Sequence, residues 1–212
     1  MSKISNLLFG AVIVGASIAP AQASIVFAFT ESGGNVLMQS SGVLNTANLV
    51  SVAPNGWGGV GVETNSPGQS DIMGDTSMGG VDTAFGFSAG TDLSPWIGGM
   101  FTISNFGWTS VGTTQFTTYY LPSGFRTPGL GISGADLVGG LWTPDVSWSK
   151  VGSFASLGLT TGVYTITDAR TAEFISIQIG AAPAAAVPEP ASLALTALAL
   201  AALGVSRRKS KG

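Results

Sequence analysis

Apolar and polar residues alternate with a period of two along several short stretches, and no stretch between the two ends sustains an i, i+3, i+4, i+7 pattern. Ile25-Val-Phe-Ala-Phe-Thr30 puts Ile25, Phe27 and Phe29 on one face. Glu31-Ser-Gly-Gly-Asn35 then reads as a hairpin turn, with Val36 to Ser40 as the returning strand. Near the far end, Phe174-Ile-Ser-Ile-Gln-Ile179 sets Ile175, Ile177 and Ile179 against Phe174, Ser176 and Gln178. Val163 to Thr167 precedes it across Asp168-Ala-Arg170 and predicts a final hairpin. Weaker strands are predicted at Leu49–Ala53, Gly58–Glu63, Thr83–Phe87, Gly99–Ser104, Gln115–Tyr120 and Ser153–Leu157. Turn-formers dominate Asn65–Gly80 and Leu121–Pro144, which are expected to be long surface loops. Many short strands between Gly- and Pro-rich turns predict an all-β fold over residues 24–180: a single antiparallel β-sandwich, jelly-roll-like or similar.

The two ends read differently. Lys3, an uncharged apolar run from Leu7 to Ala19, and the small-x-small end Ala21-Gln22-Ala23 have the form of a signal peptide, expected to be helical, over residues 1–23. Cleavage is expected after Ala23, which makes Ser24 the first residue of the mature chain. At the other end, Ala and Leu dominate Ala191 to Val205 and predict a helix. A bilayer core needs about 20 apolar residues, with roughly 17 as the lower limit, so this run is short for a durable span. Pro188-Glu189-Pro190 precedes it and Arg207-Arg208-Lys209 follows. The basic cluster is expected to stay cytoplasmic, which places what precedes Pro188 across the membrane. Residues 181–186, Ala-Ala-Pro-Ala-Ala-Ala, form a small-residue spacer before the tail at 187–212.

Val187-Pro188-Glu189-Pro190-Ala191-Ser192, the apolar run and Arg207-Arg208-Lys209 occur in a fixed order, and in that order the tail resembles the PEP-CTERM protein-sorting domain of Gram-negative bacteria. The resemblance implies a partner: an exosortase-like enzyme, a membrane-embedded cysteine protease/transpeptidase that recognises the Pro-Glu-Pro element, cleaves nearby and passes the protein towards the cell surface. It also implies a setting of exopolysaccharide and biofilm matrix. Export requires the secretory translocon and signal peptidase. The chain is then expected to be held transiently at the inner membrane by its C-terminal helix, and afterwards to sit at the surface or outside the cell.

Charge changes the picture once the ends are set aside. The whole chain has a net charge of −3, but residues 24–180 hold ten acidic side chains against Arg126, Lys150 and Arg170, a net near −7. Three scattered cations make no phosphate-tracking surface, so nucleic acid is not an expected partner. The sequence has no Cys and no His, which removes thiol catalysis, Cys- or His-ligated zinc and the usual base of a serine nucleophile. No cofactor is expected.

Four patterns raise the question of chemistry. Gly86-Phe-Ser88-Ala-Gly90 matches the nucleophile elbow, but without His its Ser88 has only Lys150 in the body as a candidate base, and no motif supports that pairing. Gly56-Trp-Gly-Gly-Val-Gly61 matches the dinucleotide fingerprint but is followed by a strand and turn rather than a helix. Asp71 and Asp75, with Asp82 and Asp92, are weak calcium candidates whose spacing fits no known loop. Trp57, Trp96, Trp108, Trp142 and Trp148 are many indoles for one domain. Trp96, Trp108 and Trp142 are candidates for stacking on sugars, with core packing as the competing reading. The expected function is therefore non-catalytic: an exported surface or matrix protein, with a carbohydrate-binding module as the alternative and a hydrolase using a carboxylate pair as the weakest.

Overall fold

Residues 33 and 34 explain how the chain starts to fold. In the computed structural model, which describes residues 24–180 apart from 55–58, 66–68, 76–79, 98, 113–114 and 120–128, β1 (Ser24–Ser32) and β2 (Asn35–Asn45) meet across Gly33-Gly34. Both glycines have positive φ, 57° and 79°, as a two-residue hairpin turn with the sheet's right-handed twist requires. Ser32 pairs with Asn35, so the strands run closer to the turn than their apolar alternation alone predicts.

The chain continues through β3 (Val50–Val52), β4 (Gly59–Asn65), β5 (Gln69–Asp75), β6 (Thr83–Gly86) and β7 (Asn105–Phe106). Next come β8 (Thr109–Val111), β9 (Phe116–Tyr119), β10 (Gly129–Ile132), β11 (Leu137–Val138) and β12 (Leu141–Trp142). The last are β13 (Ser147–Val151), β14 (Gly162–Thr167) and β15 (Phe174–Ile179). Among the described residues these strands form two sheets and the only helical segments are three short 3-10 turns. The first sheet has the order β11-β12-β2-β1-β15-β14, with β13 also on β2 and β8 on β13. The second has the order β3-β6-β10-β9-β5-β4-β7.

The apolar faces of the two sheets meet. Phe27 of β1 stacks on Phe116 of β9 with ring centroids 4.8 Å apart. Trp148 of β13 stacks on the same Phe116 ring at 5.8 Å, and Trp142 of β12 tilts against it at 6.0 Å. Ile25, Phe29, Ile175, Ile177 and Ile179 from the first sheet and Val62, Ile72, Leu130 and Ile132 from the second are fully or almost fully buried in the same cluster. The all-β sandwich expected from the alternation is what the structure shows.

Some expectations are corrected. The first and last strands pair in parallel, Ser24 with Phe174 through Phe29 with Ile179, so the first sheet is mixed rather than purely antiparallel. β15 can sit there because its other side is closed by β14 and both its faces are covered, as parallel strands generally require. Asn65–Gly80 and Leu121–Pro144 are not simply loops: β5 lies in the first and β10 to β12 in the second. Gly99–Ser104 and Ser153–Leu157 are not strands; Phe101 makes one isolated bridge to Leu159, and residues 154–158 form a turn. The expected helices at 1–23 and in the tail lie outside the described residues.

Candidate functional site

Two places carry the candidate chemistry: the C-terminal tail and a buried acidic turn in the body. The described chain leaves the fold at Gly180, whose amide donates to the Phe29 carbonyl at 2.9 Å. Ser24 is the first residue of β1 and pairs with both Phe174 and Val43. Because β1 and β15 are parallel, Ser24 and Gly180 lie at opposite ends of that strand pair. Ala21, Ala23, Val187, Pro188, Glu189, Pro190, Ala191, Ser192, Arg207, Arg208 and Lys209 lie outside the described residues. One compact unit, Gln22–Val187, contains all the described ones.

The indoles proposed for sugar contact are core residues. Trp96 and Trp142 are 0% exposed and Trp108 is 4% exposed, so none presents a ring face to a ligand. Trp96 Nε1–H donates to the Tyr164 carbonyl at 3.2 Å, which ties the 3-10 turn Ser94–Trp96 to the outer edge of β14. Trp108 Nε1–H donates to the Asn105 carbonyl at 3.0 Å. An aromatic group with a polar tip is at home in a core wherever a carbonyl is in reach, and that reading holds for both.

Asp71 and Asp75 stand four positions apart on β5, about 13 Å along an extended strand, which separates them as ligands of one ion. Asp71 is 1% exposed, and the ladder places Glu63 directly opposite it. No group of three acidic residues that could hold a metal ion occurs among the described residues. Ser88 follows β6 but opens a turn, not a helix, so the strand–turn–helix setting of a nucleophile elbow is missing. Lys150 Nζ is bound to the Phe106 carbonyl.

The structure assembles around Ser88 a cluster that the sequence did not announce. Asp168 and Glu173 close the β14–β15 hairpin and are 2% and 8% exposed. Asp168 Oδ2 accepts from the Ser88 amide at 2.5 Å. Its Oδ1 accepts from the amides of Arg170 and Thr171 at 3.0 and 2.8 Å and from the Thr171 hydroxyl at 3.0 Å. Glu173 Oε2 accepts from the Asn45 amide at 3.2 Å. The turn therefore ties together three remote segments near residues 45, 88 and 170. Burial by itself would raise the Asp168 carboxyl, but the amides of Ser88 and Thr171 and the Thr171 hydroxyl outweigh it and hold it at about 2, against an ordinary 3.8. Glu173 moves the opposite way: burial raises it, the Asn45 amide offsets part of that, and the nearby Asp168 charge raises it further. A carboxylate held so low, with its acceptor sites filled by backbone, is a poor base at neutral pH and a good clamp. The Asp-x-x-Thr spacing of 168–171 is the sequence signal that could have shown this, since it is the pattern of a side chain bonding its own turn.

Within the same turn, Ala172 has a φ of 61°, the left-handed region that costs a residue with a Cβ about 1–2 kcal/mol. Ala172→Gly is expected to stabilise the fold by about 1 kcal/mol, a rise in Tm of roughly 2–4 °C by calorimetry. An unchanged or lower Tm would show that the turn holds this geometry without strain.

The fold and the tail together define a β-sandwich body joined to a C-terminal signal. Residues 186–209 match the family model of the PEP-CTERM protein-sorting motif. That motif directs export and cell-envelope targeting and implies an exosortase as the partner of the tail. No curated protein and no solved structure matches the chain.

Proposed function

We propose that the protein is a non-catalytic surface or matrix protein, delivered by its tail and released or transferred by an exosortase cut near Pro188. The match of residues 186–209 to the sorting motif carries this reading. The geometry of the body supports it. β15 is held between β1 and β14, and residues 181–187 separate its end from the Pro-Glu-Pro element, so a cut near Pro188 removes no strand of the described sheets. On this reading the leader is removed before Ser24 by signal peptidase after passage through the translocon. The apolar run holds the chain at the inner membrane only until processing, and exopolysaccharide is the surrounding material.

The test is the intact mass and both terminal sequences of the protein from its native envelope or medium. The expected product begins at Ser24 and ends near Pro188. A chain with Pro188→Ala, Glu189→Ala and Pro190→Ala together should instead be recovered with Arg207-Arg208-Lys209 still attached. If the parent chain also keeps those residues, the tail is a plain membrane anchor and the sorting reading falls.

A further inference from the structure

The register of the first sheet fixes what stands at the start of β1. Ser24 pairs with Val43 of β2 on one side and with Phe174 of β15 on the other. One position further back, the lane ahead of β1 is flanked by Leu44 and by Glu173. Neighbouring strands lie about 4.8 Å apart, so β2 and β15 are about 9.6 Å from each other across that lane. Glu173 does not turn to solvent: it is 8% exposed, and its Oε2 accepts from the Asn45 amide of β2 at 3.2 Å. A carboxylate based just before β15 that reaches an amide of β2 has to lie across the lane of β1, ahead of the Ser24 nitrogen. Ser24 is itself held in place. At Gly42, whose φ is 98°, β2 comes so close that a Cβ would lie 1.9 Å from the Ser24 carbonyl oxygen.

The charges around this point do not balance. Asp168 is near enough for its charge to disfavour ionisation of Glu173. The Asp168 oxygens are filled by the amides of Ser88, Arg170 and Thr171, whereas the Glu173 carboxylate has the Asn45 amide. Ser24–Phe29 of β1 and Gly42–Asn45 of β2 hold no charged side chain. Arg170 donates its guanidinium to the Asn48 carbonyl at 2.5 Å. Two buried carboxyls side by side, with no cation paired to Glu173 among the described residues, are costly unless a positive charge joins them.

We propose that this gap is the binding site for the chain's own new N-terminus: removal of the leader after Ala23 leaves an α-ammonium on Ser24 that pairs with Glu173. Hydrolysis of the Ala23–Ser24 bond puts the carboxylate on Ala23 and leaves the Ser24 nitrogen as an amine, protonated at neutral pH. Before the cut the same nitrogen is a neutral amide, so the ion pair exists only in the processed chain. Charge-assisted hydrogen bonds are the strong ones, and this one ties the start of β1 to the turn that leads into β15. With the leader attached, burial and the Asp168 charge hold Glu173 above its ordinary 4.5. The gain in stability on acidification that follows from that shift belongs to the leader-bearing chain, and the ammonium opposes the shift in the processed one. The inference rests on removal of the leader before Ser24 and does not depend on where the tail is cut.

The experiment compares two full chains in mild detergent. One is processed by signal peptidase, and the other carries Ala21→Leu and Ala23→Leu, which removes the small-x-small site and keeps the leader. N-terminal sequencing of the processed chain should read from Ser24, and its Tm should exceed that of the leader-bearing chain by at least about 4 °C. Glu173→Gln should abolish that difference, while Glu31→Gln, at the far end of β1, should leave it intact. Brief periodate treatment gives a second measurement that needs no variant. It cleaves between the amine and hydroxyl carbons of an N-terminal Ser and puts an aldehyde where the ammonium stood. It should lower the Tm of the processed chain by the same amount and leave the leader-bearing chain unchanged. A start other than Ser24 overturns the leader reading and the proposal with it. With a start at Ser24, the ion pair alone is overturned by equal Tm values, by a difference that survives in Glu173→Gln, or by a processed chain indifferent to periodate. C-terminal sequencing of the same sample reads the sorting cut separately.

Discussion

Phe116→Ala is expected to cost about 3–5 kcal/mol, enough to unfold most of a domain whose total stability is typically about 5–15 kcal/mol. Phe116 is fully buried, and three aromatic groups from the opposite sheet close on it: Phe27, Trp142 and Trp148. The ring also lies over β5 at Gly74, where a Cβ would come within 2.4 Å of it. The neighbours cannot collapse into the space it leaves, because they are large, planar and held by their own strands. The indole N–H groups of Trp142 and Trp148 have no hydrogen-bond partner among the described residues, so solvent reaching the cavity would change their surroundings directly. Urea unfolding followed by Trp fluorescence measures the loss, and a cost below about 1 kcal/mol would mean that the two sheets are not held through this ring.

That core shows which parts of the fold could be read from the chain. Ile25, Phe27 and Phe29 stand out because the residues between them, Val26 and Ala28, are smaller and only half-buried, and Ile175, Ile177 and Ile179 because Ser176 and Gln178 between them are polar, although both faces of β15 are covered. Where both faces are buried and apolar and polar residues are mixed on them, the alternation vanishes. β5 reads Gln-Ser-Asp-Ile-Met-Gly-Asp, with Ser70, Asp71, Ile72 and Met73 all buried, and looks like a loop because Ser, Asp and Gly are turn residues in any other setting. β10, Gly-Leu-Gly-Ile, is hidden for the same reason. The parallel pairing of β1 with β15 joins the two ends of the described chain, and no local pattern reports contacts of that range. The site divides along the same line. The sorting tail is legible because its three parts are consecutive in sequence. The Asp168 cluster draws on Asn45 and Ser88, which lie far from Thr171 in sequence and meet it only in the fold. The indoles misled because abundance says nothing about direction; Trp96, Trp108 and Trp142 all turn inwards.

The second large effect is in acid, and its sign follows from the two buried carboxyls. Asp168 has a folded-state value near 2, below its ordinary 3.8, so its contribution to stability is complete above about 3.8 and disappears as pH falls through about 2. The difference corresponds to about 2 kcal/mol. Asp82 and Asp92 shift in the same direction, the first through the Gly134 amide and the second through Ser94, and both act on the same limb of the curve. Glu173 opposes them: its folded-state value is raised above 4.5, so lowering the pH from neutral first protonates it in the folded state and adds stability. Stability should therefore rise slightly from pH 7, peak between 4.5 and 3.8, and fall steeply towards 2. Asp168→Asn should lose about 2 kcal/mol at pH 7, because the amides of Ser88, Arg170 and Thr171 lose a charged acceptor. At pH 2 most of that difference should be gone, because Asp168 of the parent is by then about half protonated even in the folded state. Glu173→Gln should remove the rise and leave the fall. Urea titrations of the three proteins at pH 7, 4 and 2 decide it: a parent curve that is flat between 4 and 2, or the same acid slope in Asp168→Asn, would show that this carboxylate does not hold the three segments together.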